Sequence, residues 1–207
     1  MPELWTEQIA RVARLYKSLV DRYGHDPRAC DYGRPESQRI KFEVLAQTMP
    51  LQGKRVLDVG CGFADFADYL FAYYGELTYE GIDITPRMIE EARRLHPALS
   101  LRVLDILEQD PGGPYDLVTA NGIFYLLGKG AESYMRQLIV RMYEFSSSAV
   151  AFNSLSIWAD HKESGESYAD PLATVEFCRT LTPWVVLRHD YMPHDFTIYM
   201  YREARHG

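Results

Sequence analysis

The chain contains no apolar run of the roughly 18 residues that a membrane-spanning helix needs, so a helical membrane protein is excluded at the outset. Cysteine is scarce. Cys30, Cys61 and Cys178 are odd in number and have no metal-type spacing, which argues against a disulfide framework and a zinc cluster; no metal site is expected. Cations are outnumbered too, 22 Lys and Arg against 29 Asp and Glu, for a net charge of −7. Neutralising a nucleic-acid backbone takes clustered Lys and Arg. The densest basic stretches are Arg34 to Lys41 and Arg87 to Arg94, and Glu90 and Glu91 interrupt the second as on a solvated helix face. Small molecules are therefore expected as partners in preference to nucleic acid. Met1-Pro2-Glu3-Leu4-Trp5 lacks the character of a secretory leader, so a cytoplasmic location is expected. Repeats and low-complexity tracts are missing as well.

What the chain does have is enough apolar residue for one substantial core. At 207 residues and 47% hydrophobic content, a single domain over 1–207 is expected. Its most informative stretch is Val56-Leu57-Asp58-Val59-Gly60-Cys61-Gly62-Phe63-Ala64-Asp65, a hydrophobic strand running into a Gly-X-Gly turn and then a helix with Phe66, Leu70 and Tyr73 on one face. Gly60 and Gly62 let the backbone bend sharply and approach a ligand closely. Turns of this kind serve dinucleotides and S-adenosylmethionine. In the dinucleotide pattern Gly-X-Gly-X-X-Gly the third glycine falls on Asp65, which puts a carboxylate where a helix N-terminus should meet pyrophosphate.

Three further strand ends follow in register. Leu77 to Asp83 ends in an acid that can accept hydrogen bonds from both ribose hydroxyls, and Thr85-Pro86 then caps a helix through Leu95. Leu101 to Leu104 ends in Asp105-Ile106. Tyr115 to Gly122 ends in the small and polar residues Ala120, Asn121 and Gly122.

Asp58-X-Gly60-X-Gly62-X-Ala64, with Ala64 in the last glycine's place, resembles motif I of the class I S-adenosylmethionine-dependent methyltransferases. Gly81-Ile82-Asp83-Ile84-Thr85-Pro86-Arg87-Met88-Ile89-Glu90-Glu91-Ala92-Arg93 is similar to the family's second motif, and four motifs stand in order across Val56 to Leu127. The resemblance implies an α/β fold: a doubly wound, mostly parallel seven-stranded sheet with helices on both faces and an antiparallel seventh strand beside the fifth. It implies S-adenosylmethionine as cofactor, with S-adenosylhomocysteine as product. Cofactor-binding residues are expected at Asp58, Gly60, Gly62, Asp83, Ile84, Asp105, Ile106 and Asn121, with Asp105 against the adenine amino group and Ile106 beside the ring. Tyr32 and Arg34 are the candidates for the methionine carboxylate.

The expected function is methyl transfer to a nitrogen or oxygen of a small molecule. A noncatalytic S-adenosylmethionine-binding or partner subunit and a nicotinamide-dependent oxidoreductase are the alternatives. Residues 1–47 are expected to form a helical lid or cap, with Trp5, Ile9, Val12, Tyr16, Leu19 and Tyr23 at helical spacing, and 155–173 a substrate-side insertion. Two last strands, Trp184 to Arg188 and Phe196 to Tyr201, are expected to flank a ligand-side loop from His189 to Asp195. His189, His194 and His161 are the candidate general bases, with Asp190 or Asp195 to orient an imidazole. Tyr125, Asn153, Trp158 and Tyr191 are the candidate acceptor-binding residues.

Overall fold

A computed structural model describes residues 2–30, 35–128 and 130–205, without the side chains of 2–6, 27 and 35. Tyr32 and Arg34 lie outside the described residues. Seven strands form one sheet: β1 (Arg55–Val59), β2 (Thr78–Asp83), β3 (Ser100–Val103), β4 (Tyr115–Ala120), β5 (Ser146–Leu155), β6 (Val185–Met192) and β7 (Asp195–Tyr201). Their order is β3-β2-β1-β4-β5-β7-β6. Only β7 runs antiparallel to its neighbours, β5 and β6. The order reverses direction between β1 and β4, and the crevice beyond the carboxyl ends there is where such sheets bind ligands.

Both faces of the sheet are buried because its strands are apolar at successive positions. On one face Val56, Leu117, Ala149 and Ala151 pack with Leu45 of α2 (Pro35–Ala46), Phe66 and Leu70 of α3 (Asp65–Tyr74), and Ile89 and Ala92 of α4 (Pro86–Leu95). On the other, Leu57, Val118, Val150 and Phe152 meet Leu138, Ile139 and Met142 of α5 (Ala131–Phe145) and Cys178 of α6 (Pro171–Cys178). The first helix, α1 (Pro2–Tyr23), lies outside these layers and packs Val20 with Phe63 and Met88. No helix of the described residues is long and apolar enough to cross a membrane.

Three expectations are corrected. Tyr73 does not share the buried face of α3; it is 66% exposed, and that face continues from Leu70 to Tyr74, which packs on the core in the last turn. Asp170 caps α6, accepting from the N–H groups of Leu172 and Ala173, with Pro171 at the first helical position, so the segment expected as loop to residue 173 turns helical at 171. Finally β6 continues through Met192, which leaves only Pro193 and His194 between the last two strands. The expected His189–Asp195 loop is instead a strand with a register shift between Arg188 and Met192.

Candidate functional site

β1 ends where the chain must turn under the sheet's rim. Gly60 has φ +74° and Gly62 +55°, and Ala64 follows at +65°, all in the left-handed region. The N–H groups of Gly60 and Cys61 both donate to the Ile82 carbonyl, at 2.8 and 3.0 Å, which fastens the turn to β2. A Cβ on Gly60 would stand 2.3 Å from Ile123 Cγ2, so the protein itself requires glycine there. At Gly62 the nearest atom to a Cβ is Cys30 Sγ at 3.5 Å, and the backbone faces open cleft.

Asp83 ties the same turn from the other side. Its carboxylate accepts the Gly62 N–H at 3.1 Å and the Thr85 N–H at 2.7 Å. Burial raises its pKa, and these N–H groups oppose that rise. The Thr85 hydroxyl also donates to the carboxylate, and of its roughly four lone-pair sites one is left to receive a ligand's hydroxyl. Asp105, past the end of β3, accepts the Leu107 N–H, and burial raises its pKa too.

Asp58, the last polar residue of β1, is fully buried and receives the Tyr79 hydroxyl at 2.6 Å and the Thr119 hydroxyl at 3.1 Å. Burial pushes its pKa up to about 7 in spite of those bonds. An acid whose folded pKa exceeds its unfolded value binds more protons when folded, so its contribution to stability fades as pH rises from about 4 through 7. Asp58→Asn removes that charge. Its melting temperature at pH 8 is expected to exceed the wild type's by about 5–10 °C, an advantage that narrows steadily between pH 7 and pH 4 in a pH series of thermal melts.

These groups share one cavity of about 470 Å³, within the usual range for small-molecule sites. Asp58, Gly60, Gly62, Asp83, Ile84, Asp105, Ile106 and Asn121 all line it. Gln8, Ile9, Val12 and Tyr16 of α1 form its outer wall. That helix is held by Tyr16 and Tyr125, whose hydroxyls lie 2.8 Å apart, by Arg11 donating to the Leu126 carbonyl, and by Arg87 pairing with Asp21 at 3.1 Å.

Toward β5 and β7 the cavity is lined by Asn153, Ser154, His194 and Asp195, with Lys41 from α2 and Tyr125, His161 and Tyr168 from the loops, while Gln38 of α2 donates to Asp65 at 3.4 Å. Asp195 is 1% exposed and paired with Lys41 at 2.7 Å. Its other oxygen accepts the Tyr191 hydroxyl. Neither Asp190 nor Asp195 orients an imidazole, contrary to expectation: Asp190 pairs with Arg188 at the surface.

Of the candidates for the acceptor side, Tyr125, Asn153, His161 and His194 come together, and His189, Trp158 and Tyr191 do not. His189 lies within β6, its ring 5.0 Å from Trp158 and stacked 6.4 Å from Phe196, with Nε2 buried and unpartnered. Trp158 covers that ring and is otherwise half exposed. Tyr191 touches the site only through Asp195 and Thr197. Sequence reasoning did not single out Lys41 or Gln38. Gln38 stays with Asp65 beside the glycine turn, whereas Lys41 reaches Asp195 of β7, a meeting that only the strand order brings about.

The profile of a methyltransferase domain family matches residues 57–145. A trans-aconitate 2-methyltransferase of Methylobacterium nodulans is 34% identical over 92 residues, 44% of this chain and 36% of that protein. A ubiquinone biosynthesis O-methyltransferase of Neisseria meningitidis serogroup C is 41% identical over 121 residues, 54% of this chain and 48% of that protein. The chain thus spans less than half the length of these relatives. In three dimensions it resembles the magnesium protoporphyrin IX methyltransferase of Synechocystis with bound S-adenosylmethionine, at a TM-score of 0.62 and 14% identity over 81% of this chain and 80% of that one. It resembles the N-methyltransferase NodS of Bradyrhizobium japonicum similarly, at 0.61 and 17% over 82% of this chain and 98% of that one.

Proposed function

We propose that this chain, residues 57–145 of which match a methyltransferase domain family, is a class I S-adenosylmethionine-dependent methyltransferase that transfers a methyl group to a nitrogen or oxygen of a small molecule. One observation carries this reading: a single cavity runs from the acids Asp83 and Asp105 to a polar end at Ser154, His161 and His194. S-adenosylmethionine, when bound, supplies an electrophilic methyl carbon on a sulfonium and leaves as S-adenosylhomocysteine. The residues fit that group. Asp83 would hold a ribose hydroxyl, Asp105 the adenine amino group, Ile84 and Ile106 the ring, and the open backbone at Gly62 the methionine part. Asp65 favours this over a nicotinamide cofactor, since it opens α3 on the cavity wall, with His25 2.7 Å from its carboxylate, where pyrophosphate would have to sit.

Catalysis then rests on alignment. Holding an acceptor in line with the methyl carbon contributes roughly 7–11 kcal/mol, and a general base a further factor of about 10² to 10⁴. His194 and His161 are the bases within reach of the cavity, and α1 with Tyr16 acts as the cap that keeps water out. The two enzymes related by sequence are named for small-molecule methyl transfer, which supports a small acceptor here.

S-adenosylhomocysteine is expected to raise the melting temperature, and NADH to leave it unchanged; the reverse would overturn the assignment. Labelled methyl groups from S-adenosylmethionine are expected to appear in a metabolite extract, whereas binding without transfer to any pool would leave a noncatalytic binder. His194→Ala is expected to lower turnover by about 10² to 10⁴ with cofactor affinity intact, and His189→Ala to leave turnover alone. Full turnover in both His194→Ala and His161→Ala would remove the base from the mechanism.

A further inference from the structure

The carboxamide of Asn121 has a fixed polarity. Asn153 is wholly buried on β5, and its Oδ1 accepts the Gly122 N–H at 2.7 Å. A backbone N–H can only donate, so this bond decides which end of the Asn153 amide is oxygen. Its Nδ2 must then be the atom facing Asn121, and the atom that receives it at 2.6 Å must be Asn121 Oδ1. Asn121 therefore offers Nδ2, a donor with no hydrogen bond to a described residue, from the wall of the cavity. The bond to Asn153 also draws this side chain toward β5, on the side of β4 away from the glycine turn, where Ser154, His161 and His194 stand.

We propose that Asn121 Nδ2 donates to the atom that is methylated, that this atom is oxygen, and that Asn153 is the residue that positions the donor. The inference rests on the methyl-transfer reading and chooses between the two acceptor atoms left open above. An amine nitrogen has one lone pair, and that pair must attack the methyl carbon; a donor aimed at it would stop the reaction. Oxygen has two lone pairs, so one can take Nδ2–H while the other attacks. The substrate class is accordingly a hydroxyl or carboxyl compound. One O–C bond forms and one S–C bond breaks, with its electron pair remaining on sulfur. An alcohol gives its proton to the histidine at that end of the cavity, and a carboxylate has none to give.

Transfer from S-adenosylmethionine labelled with ¹³C in the methyl group fixes the atom by chemical shift. Product methyl on oxygen is expected. Methyl on nitrogen would overturn this inference and leave methyl transfer standing, whereas no transfer at all would overturn both. Asn121→Asp keeps an oxygen for Asn153 but presents oxygen to the acceptor; acceptor KM is expected to rise at least about tenfold, with S-adenosylhomocysteine affinity within about twofold. A comparable loss of S-adenosylhomocysteine affinity would put the donor on the cofactor and overturn the assignment. The positioning role has a readout apart from activity. In Asn153→Asp one carboxylate oxygen still accepts from Gly122 and the other repels Asn121 Oδ1, so the Asn121 amide turns over and donates to it. Its side-chain N–H resonances in ¹⁵N-labelled protein are expected to move downfield, and unchanged resonances would remove Asn153 from the role.

Discussion

Asp83→Ala is expected to raise the dissociation constant for S-adenosylhomocysteine about 10- to 100-fold by calorimetry. A hydrogen bond to a charged acceptor contributes about 1.5–3 kcal/mol, and a ribose hydroxyl would take the site that remains on Asp83. The variant also loses the tie from Asp83 to the N–H groups of Gly62 and Thr85, so the turn under the methionine part loosens with it. The core stays: circular dichroism is expected to report a folded domain, because the side chain bonds the amides of Gly62 and Thr85 and is not part of an apolar cluster. Acidification acts in the same direction. Burial raises the Asp83 pKa, so the charged form that a ribose needs is lost at a higher pH than for an ordinary carboxylate, and affinity falls earlier on the way down. An unchanged dissociation constant in Asp83→Ala would refute the ribose assignment.

Gly60→Ala is expected to be worse still, because it fails on two independent counts. The new Cβ would stand 2.3 Å from Ile123 Cγ2, and the residue would have to hold φ near +74°. Measurable cofactor binding should disappear and the melting temperature should drop. The two causes separate in the double variant Gly60→Ala with Ile123→Ala, which relieves the collision and keeps the left-handed strain of roughly 1–2 kcal/mol. Partial recovery of the melting temperature is expected. No recovery would mean that the backbone conformation, and not Ile123, sets the requirement for glycine.

The cofactor half of the molecule was legible in the sequence because its signals are local. A Gly-X-Gly turn after a strand and an acid at the next strand's end each announce themselves within a few residues, and Asp58, Gly62, Asp83 and Asp105 all reached the cavity. The end toward β5 and β7 was legible only in part: Tyr125, Asn153, His161 and His194 reached the cavity, but other members meet them only through the sheet order. Lys41 pairs with Asp195 across 154 positions of sequence, and no local pattern marks either as a partner of the other. His189 and Tyr191 show the converse error. Grouped with His194 they read as a polar loop, but a strand alternates its side chains between faces, and four extra strand residues turned most of that group away from the cleft.

Ala64 settles in the left-handed region with its methyl group fully buried, in the place where motif I usually carries glycine. The conformation disfavours alanine by roughly 1–2 kcal/mol. Glycine, however, would forfeit about 0.8 kcal/mol of methyl burial and a further 0.4–1 kcal/mol through its freer unfolded chain. The two residues come out nearly level in folding free energy, so mutation can exchange them here with little for selection to act on. A pattern search that insists on the third glycine would discard this chain at the one motif position where stability does not distinguish the alternatives.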